Sequence, residues 1–99
     1  MADLFELLDE VESPEACTWT VQRIDSEGGI HRHSLKLSWA DYDLFVPGGS
    51  TPPMVVAEAV MTFMLQHDAL HPLGPSLDAS TPRRRVPDAD KIIESLIRS

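Results

Sequence analysis

The sequence predicts an α+β fold made of an N-terminal helix, a two-stranded antiparallel hairpin packed on a long central helix, and a short C-terminal helix. Apolar and polar residues alternate along residues 17–22 and 34–39, which is the period of a half-buried strand. Residues 54–65 are almost continuously apolar and follow a pair of prolines, which favours a long buried helix. Leucines and isoleucines recur at helical spacing near both ends of the chain.

The composition predicts one small domain over residues 1–99. A chain of 99 residues with 42% apolar and 24% charged residues is long enough for one core and too short for two. Its one cysteine, Cys17, excludes an intramolecular disulfide, and the sequence has no secretory leader, so we expect a cytoplasmic protein. The longest apolar run is shorter than the roughly 20 residues that span a bilayer, so we expect no membrane segment.

The negative charge is concentrated at the N-terminus. The net charge is -8, and residues 1–16 hold six acidic residues and no basic one. An acidic chain is a poor candidate for nucleic-acid binding, which requires a basic surface. Within this segment, residues 3–12 have the apolar spacing of an amphipathic helix, and such helices dock in grooves of other proteins. The residues expected to contact a protein partner are Leu4, Phe5, Leu7 and Leu8.

Residues 17–39 are predicted to form the β-hairpin. Directly opposed residues of an antiparallel pair share a face, and the apolar residues of both runs occupy odd positions. Odd positions must therefore lie opposite odd positions. A two-residue turn at Gly28-Gly29 would violate this rule, whereas a three-residue loop, Glu27-Gly28-Gly29, satisfies it. The predicted pairs are Val21 with Leu35, Trp19 with Leu37 and Cys17 with Trp39, and all six side chains are expected to pack on the central helix.

The central helix is predicted over residues 51–67, with Ser50 or Thr51 as N-cap. Its apolar surface covers most of its circumference, so it must be buried on nearly all sides. A second copy of the chain could supply the missing cover, so we expect self-association as a homodimer. The alternative is that the terminal helices and the loop at 69–87 cover it within one chain.

The C-terminal part is predicted to be a proline-rich loop followed by a helix over residues 88–98. Residues 71–87 contain four prolines, with one turn of helix expected after Ser80. Three consecutive arginines in this loop could bind phosphate or an acidic partner, or could meet the chain's own acidic N-terminus. They are Arg83, Arg84 and Arg85.

Two polar clusters are candidate ligand sites. The loop between Trp39 and the central helix holds two aspartates and a glycine turn, and the residues that could bind a small ligand are Asp41, Tyr42, Asp43, Gly48, Gly49 and Ser50. On the hairpin, the predicted register sets Asp25 opposite His31 and places His33 on the same face. Two imidazoles and a carboxylate could bind zinc or another divalent metal, although a polar hairpin tip explains the same residues.

No motif in the sequence identifies a reaction, so no catalytic residue is assigned and no cofactor is expected. The favoured function is a small cytoplasmic protein-interaction or regulatory module that acts as a homodimer through the acidic helix, the loop over residues 39–53, or both. The alternative is a small ligand- or metal-binding protein, or an enzyme, with its site in the Asp41–Pro53 loop.

Overall fold

The fold is a four-stranded mixed sheet with helices on one face, as a computed structural model describes it for residues 4–98. Strands β1 (Leu4–Glu12), β2 (Ala16–Ile24) and β3 (Ile30–Ser38) form an antiparallel meander, and β4 (Ser76–Asp78) pairs parallel to β3. The helices are α1 (Trp39–Phe45), α2 (Pro53–Gln66), α3 (Thr81–Arg85) and α4 (Ala89–Arg98), with a 3-10 turn at Asp68–Leu70. The structure is α+β, but the predicted arrangement of an N-terminal helix and a two-stranded hairpin on a long helix is wrong.

The N-terminal segment is a strand and not the predicted amphipathic helix. It pairs with β2 at residues 4–8 and 11–12 and joins it through a tight turn, in which the Ser13 N–H donates to the Ala16 carbonyl at 2.8 Å. A bulge between Leu8 and Val11, where Asp9 has a φ of 54°, shifts the register within the strand. The spacing of the leucines suggested a helix, but pairing with β2 makes the segment a strand. In so short a segment, the spacing of apolar residues does not distinguish the helical period from the strand period.

Strands β2 and β3 form the predicted hairpin, but the predicted register is wrong by two residues. Odd positions do lie opposite odd positions. The connecting loop has five residues, 25–29, because the Asp25 carboxylate accepts hydrogen bonds from the N–H groups of Glu27 and Gly29 at 2.9 and 2.8 Å. Two extra loop residues shift the pairing by two positions and leave each side chain on its face. The observed pairs are Cys17 with Leu37, Trp19 with Leu35 and Val21 with His33.

The core lies between the sheet and the helices. Five of the six predicted hairpin core residues are at most 2% exposed: Cys17, Trp19, Val21, Leu35 and Leu37. Trp39 is the exception, because it begins α1 instead of extending β3, and its indole N–H donates to the Ser13 carbonyl at 2.8 Å. Its predicted pairing with Cys17 is therefore wrong.

Helix α2 is covered largely within one chain. It begins after Pro52, which takes the N-cap position in place of the predicted serine or threonine. Half of its 14 residues are buried, and the 3-10 turn, β3, α1 and α4 all lie against it. The central helix therefore does not need a second copy of the chain to cover it, and self-association stays a prediction. No helix within residues 4–98 has the length and apolarity to cross a bilayer.

Helix α1 occupies a stretch that was predicted to be irregular. The Ser38 hydroxyl accepts the Asp41 N–H at 3.1 Å and donates to the Asp41 carboxylate at 3.0 Å, so the two residues cap the helix together. The connection to α2 then folds back on α1, and the Tyr42 hydroxyl donates to the Thr51 carbonyl. A serine followed three residues later by an acid was the signal in the sequence for this helix.

Candidate functional site

The candidate site is the outer side of β1, residues 4–12, which we call the acidic edge. β1 is the first strand in the sheet order, and within the described residues no strand lies beside it on the outer side. The five residues before the bulge, 4–8, give a regular edge about 17 Å long at about 3.4 Å per residue. Every second residue of such an edge directs its N–H and C=O away from the sheet, where another strand can bind them.

Four acids and no base lie along this edge. Glu6, Asp9, Glu10 and Glu12 are all exposed. The Glu10 carboxylate accepts the Trp19 indole N–H at 2.9 Å. Within the described part of the chain, the other three carboxylates have no hydrogen-bond or ion-pair partner. The strand β1 itself therefore carries a net negative charge, and the nearest base on the adjacent strand is Arg23, opposite Phe5.

Hollows on both faces of the sheet flank the acidic edge. Phe5 and Leu7 turn toward the helix layer, where a hollow of about 210 Å³ separates them from Met54 of α2. Leu4 and Ile24 pair with each other and line a second hollow of about 160 Å³ that includes the open face. The side chains of an added strand would alternate between these two faces. On either face they could therefore contact apolar side chains of this protein.

The four apolar residues predicted to bind a partner do not form one stripe. Phe5 and Leu7 are half-buried against the core, whereas Leu4 and Leu8 lie on the open face of the sheet. Leu4 is 67% exposed. A helix would have placed Leu4, Leu7 and Leu8 on one side, so the surface is an edge with two faces and not a ridge.

The arginine cluster does not meet the acidic N-terminus through Arg83. The Arg83 Nη1 donates to Asp41 at 2.7 Å, and its Nε lies 3.2 Å from both carboxylate oxygens of Asp90. Burial alone would lower the pKa of Arg83, but these two carboxylates outweigh burial and raise it. Its guanidinium also lies 5.7 Å from the ring centroid of Phe45. Arg84 and Arg85 are exposed.

The predicted ligand residues of the central stretch are not brought together. Asp41 is buried and engaged by Arg83, whereas Asp43 is exposed, so the two carboxylates do not form a pair. Tyr42 is buried beneath the connection to α2. The remaining predicted residues lie exposed in that connection: Gly48, Gly49 and Ser50.

Two of the three predicted metal ligands, His31 and Asp25, contact each other, whereas His33 makes its bonds elsewhere. His31 Nε2 lies 2.7 Å from the Asp25 carboxylate, and this bond, with two backbone N–H groups, lowers the pKa of Asp25. His33 is buried, donates from Nδ1 to the Gly74 carbonyl at 2.7 Å, and accepts the Arg23 Nε–H at 3.3 Å. In residues 4–98, no group of three histidine, cysteine or acidic side chains is arranged to hold a metal ion.

The charge of the acidic edge was visible in the sequence, but its conformation was not. The missed signal is the turn at Ser13-Pro14, which looks like a helix stop and in fact connects two strands. Comparison of the chain with protein-family models, with curated proteins and with solved structures found no match.

Proposed function

We propose that this protein is an interaction module that binds a basic, extended segment of a partner protein as an additional strand beside β1. The observation that supports this proposal is the outer side of β1, which has no neighbouring strand in the described residues and holds four acids and no base. Backbone hydrogen bonds would supply affinity, and lysine or arginine side chains would neutralise the edge.

A partner fits this edge better than a second copy does. Antiparallel pairing of two β1 strands would bring four acids from each copy together at a strand spacing of about 4.8 Å. Like charges across neighbouring strands destabilise the pair, and charged residues and bulges are common protection against such pairing. With a basic segment, attraction between opposite charges replaces this repulsion. The same four acids therefore disfavour self-pairing and favour a basic partner.

The competing function, a ligand site in the Asp41–Pro53 loop, has less support. The Asp41 carboxylate already binds Arg83 and Ser38, and the Tyr42 hydroxyl already binds the Thr51 carbonyl. A ligand would have to displace contacts that hold α1 in place. Within the described residues, this loop offers no unengaged pair of carboxylates.

Calorimetric titration with two synthetic peptides tests the proposal. The first peptide alternates lysine and valine over the length of β1, and the second is the same peptide N-methylated at every second residue on the side that would face β1. We expect the first to bind, with affinity that falls as salt rises. The second keeps the charge but loses several hydrogen bonds, so its affinity should fall about tenfold or more. Equal binding of the two peptides, or no binding of the first, would refute strand addition.

A matched pair of charge reversals locates the binding surface. Glu6→Lys changes the acidic edge, whereas Asp43→Lys makes the same charge change at an exposed position on α1. We expect Glu6→Lys to lower the affinity for the lysine-valine peptide by about threefold to tenfold and Asp43→Lys to lower it less. Equal losses in the two folded variants would show that the net charge, and not the acidic edge, attracts the peptide.

A further inference from the structure

A separate cavity of about 200 Å³ lies where the end of α2, β4 and α3 meet. Its lining is apolar on one side, with Met64 and Leu70 buried and Leu73 and Leu77 half-buried. The polar side is formed by four side chains of β4 and α3: Ser76, Asp78, Thr81 and Arg85. The acidic edge contributes no residue to this cavity, so a ligand bound here would be independent of strand addition at β1.

Hydrogen bonds hold the walls of the cavity in place. The segment at 71–78 forms one wall, and His33 Nδ1 donates to its Gly74 carbonyl at 2.7 Å from within β3. At the start of the same segment, His71 Nε2 donates to the Met64 carbonyl at 2.7 Å. A preformed cavity costs a ligand little ordering of the protein, which favours binding.

The α3 side of the cavity offers a cation and a hydroxyl that could bind an anion. Thr81 and Arg85 are four residues apart on α3, so they share one face of the helix, and both line the cavity. Arg83 is engaged by two carboxylates, but Arg85 has no such partner in the described residues. Asp78 also lines the cavity, but one of its oxygens accepts the N–H and hydroxyl of Ser80 at 2.9 and 2.7 Å.

We propose that this cavity binds a small carboxylate with a short apolar chain. The chain would lie on Met64, Leu70 and Leu77, and the carboxylate would bind Arg85, with the Thr81 hydroxyl as a second donor. Arginine presents paired N–H donors that match a carboxylate. A volume of about 200 Å³ equals roughly seven water molecules of liquid, which suits a ligand of about six to eight heavy atoms.

Titration with hexanoate, hexan-1-ol and hexylamine, followed by the methyl NMR signals of Met64 and Leu77, tests this proposal. The three probes share one chain and differ in charge. We expect hexanoate to shift both signals and to bind about tenfold more tightly than hexylamine. Hexylamine that binds as tightly as hexanoate, or hexanoate that shifts neither signal, would overturn the proposal.

Neighbouring arginines provide the control. Arg85 lines the cavity and Arg84 does not, although both are exposed and adjacent on α3. We expect Arg85→Gln to lower the affinity for hexanoate about tenfold, to that for hexan-1-ol. Arg84→Gln should keep the affinity for hexanoate within about twofold of that of the unsubstituted protein. Equal affinities in the two variants would overturn the assignment of Arg85 as the anion-binding residue.

Discussion

The ion pair between Asp41 and Arg83 is expected to be a principal support of the helix layer. The Arg83 Nη1 lies 2.7 Å from the Asp41 carboxylate, and the two side chains, Arg83 and Asp41, are 28% and 10% exposed. Arg83 also binds Asp90 of α4, so its guanidinium connects three helices. We predict that Asp41→Ala destabilises the protein much more than a surface substitution does.

The expected cost depends on the charge that the substitution leaves behind. Removal of one partner of a buried ion pair costs about 3–5 kcal/mol, because an uncompensated charge remains. Arg83 is more than a quarter exposed and keeps Asp90, so we reduce the expected cost to about 2–3 kcal/mol. The Arg83 Nη2 is already buried without a partner in the described residues, which limits how far the guanidinium can compensate.

A double-mutant cycle measured by urea unfolding tests this prediction. The cycle compares Asp41→Ala, Arg83→Met and the double variant, and we expect a coupling free energy of about 1.5–2.5 kcal/mol. Arg84→Met serves as the control, because Arg84 is exposed, and should change the free energy of unfolding by no more than about 0.5 kcal/mol. A coupling free energy below about 0.5 kcal/mol would refute the reasoning.

Three further predictions concern Cys17, Asp25 and Glu10. Burial, reinforced by Glu10 and Glu12, raises the pKa of Cys17 to about 11, so a thiol reagent should label the native protein only as it unfolds; rapid native labelling would contradict this. Hydrogen bonds from His31 and from the Gly29 and Glu27 N–H groups lower the pKa of Asp25 below its ordinary value of 3.8. The ionised carboxylate therefore stabilises the folded protein at pH values above 3.8, and this stabilisation is lost as the pH falls through the lower pKa of the folded state. Asp25→Asn should therefore reduce the stability difference between neutral and acid pH in urea unfolding, and an unchanged difference would count against the bond. Glu10→Ala leaves the Trp19 indole N–H unpaired and should cost about 1–2 kcal/mol, against about 0.5 kcal/mol or less for Glu12→Ala; equal costs would argue that the bond does not stabilise the protein.

The hairpin shows how far side-chain alternation can predict a structure. Alternation assigns each side chain to a face, and that assignment is correct for Trp19 and Leu35. It does not distinguish a three-residue loop from a five-residue loop, because both keep the parity. The choice depends on the Asp25 carboxylate, which binds two N–H groups across the turn and makes the longer loop stable.

The candidate site was predictable in charge and not in geometry. The acidic composition of residues 1–16 needs no structure to be seen, but whether its leucines share one face depends on pairing with β2. The contact between Asp41 and Arg83 joins residues 42 positions apart, and no local pattern indicates it. Predictions from sequence are therefore most reliable for properties that neighbouring residues determine alone.

The conformation of β1 also decides which experiment can test partner binding. Deletion of a docked terminal helix can leave a core intact, but deletion of β1 would expose the edge of β2 and remove the cover that Phe5 and Leu7 give the core. The Trp19 indole would also lose the Glu10 carboxylate. Loss of binding in a truncated chain could then result from unfolding or from aggregation through the exposed edge of β2, and not only from loss of the binding site. Charge reversal at Glu6 keeps the strand and changes only what the edge presents, so it distinguishes recognition by the acidic edge from its structural role.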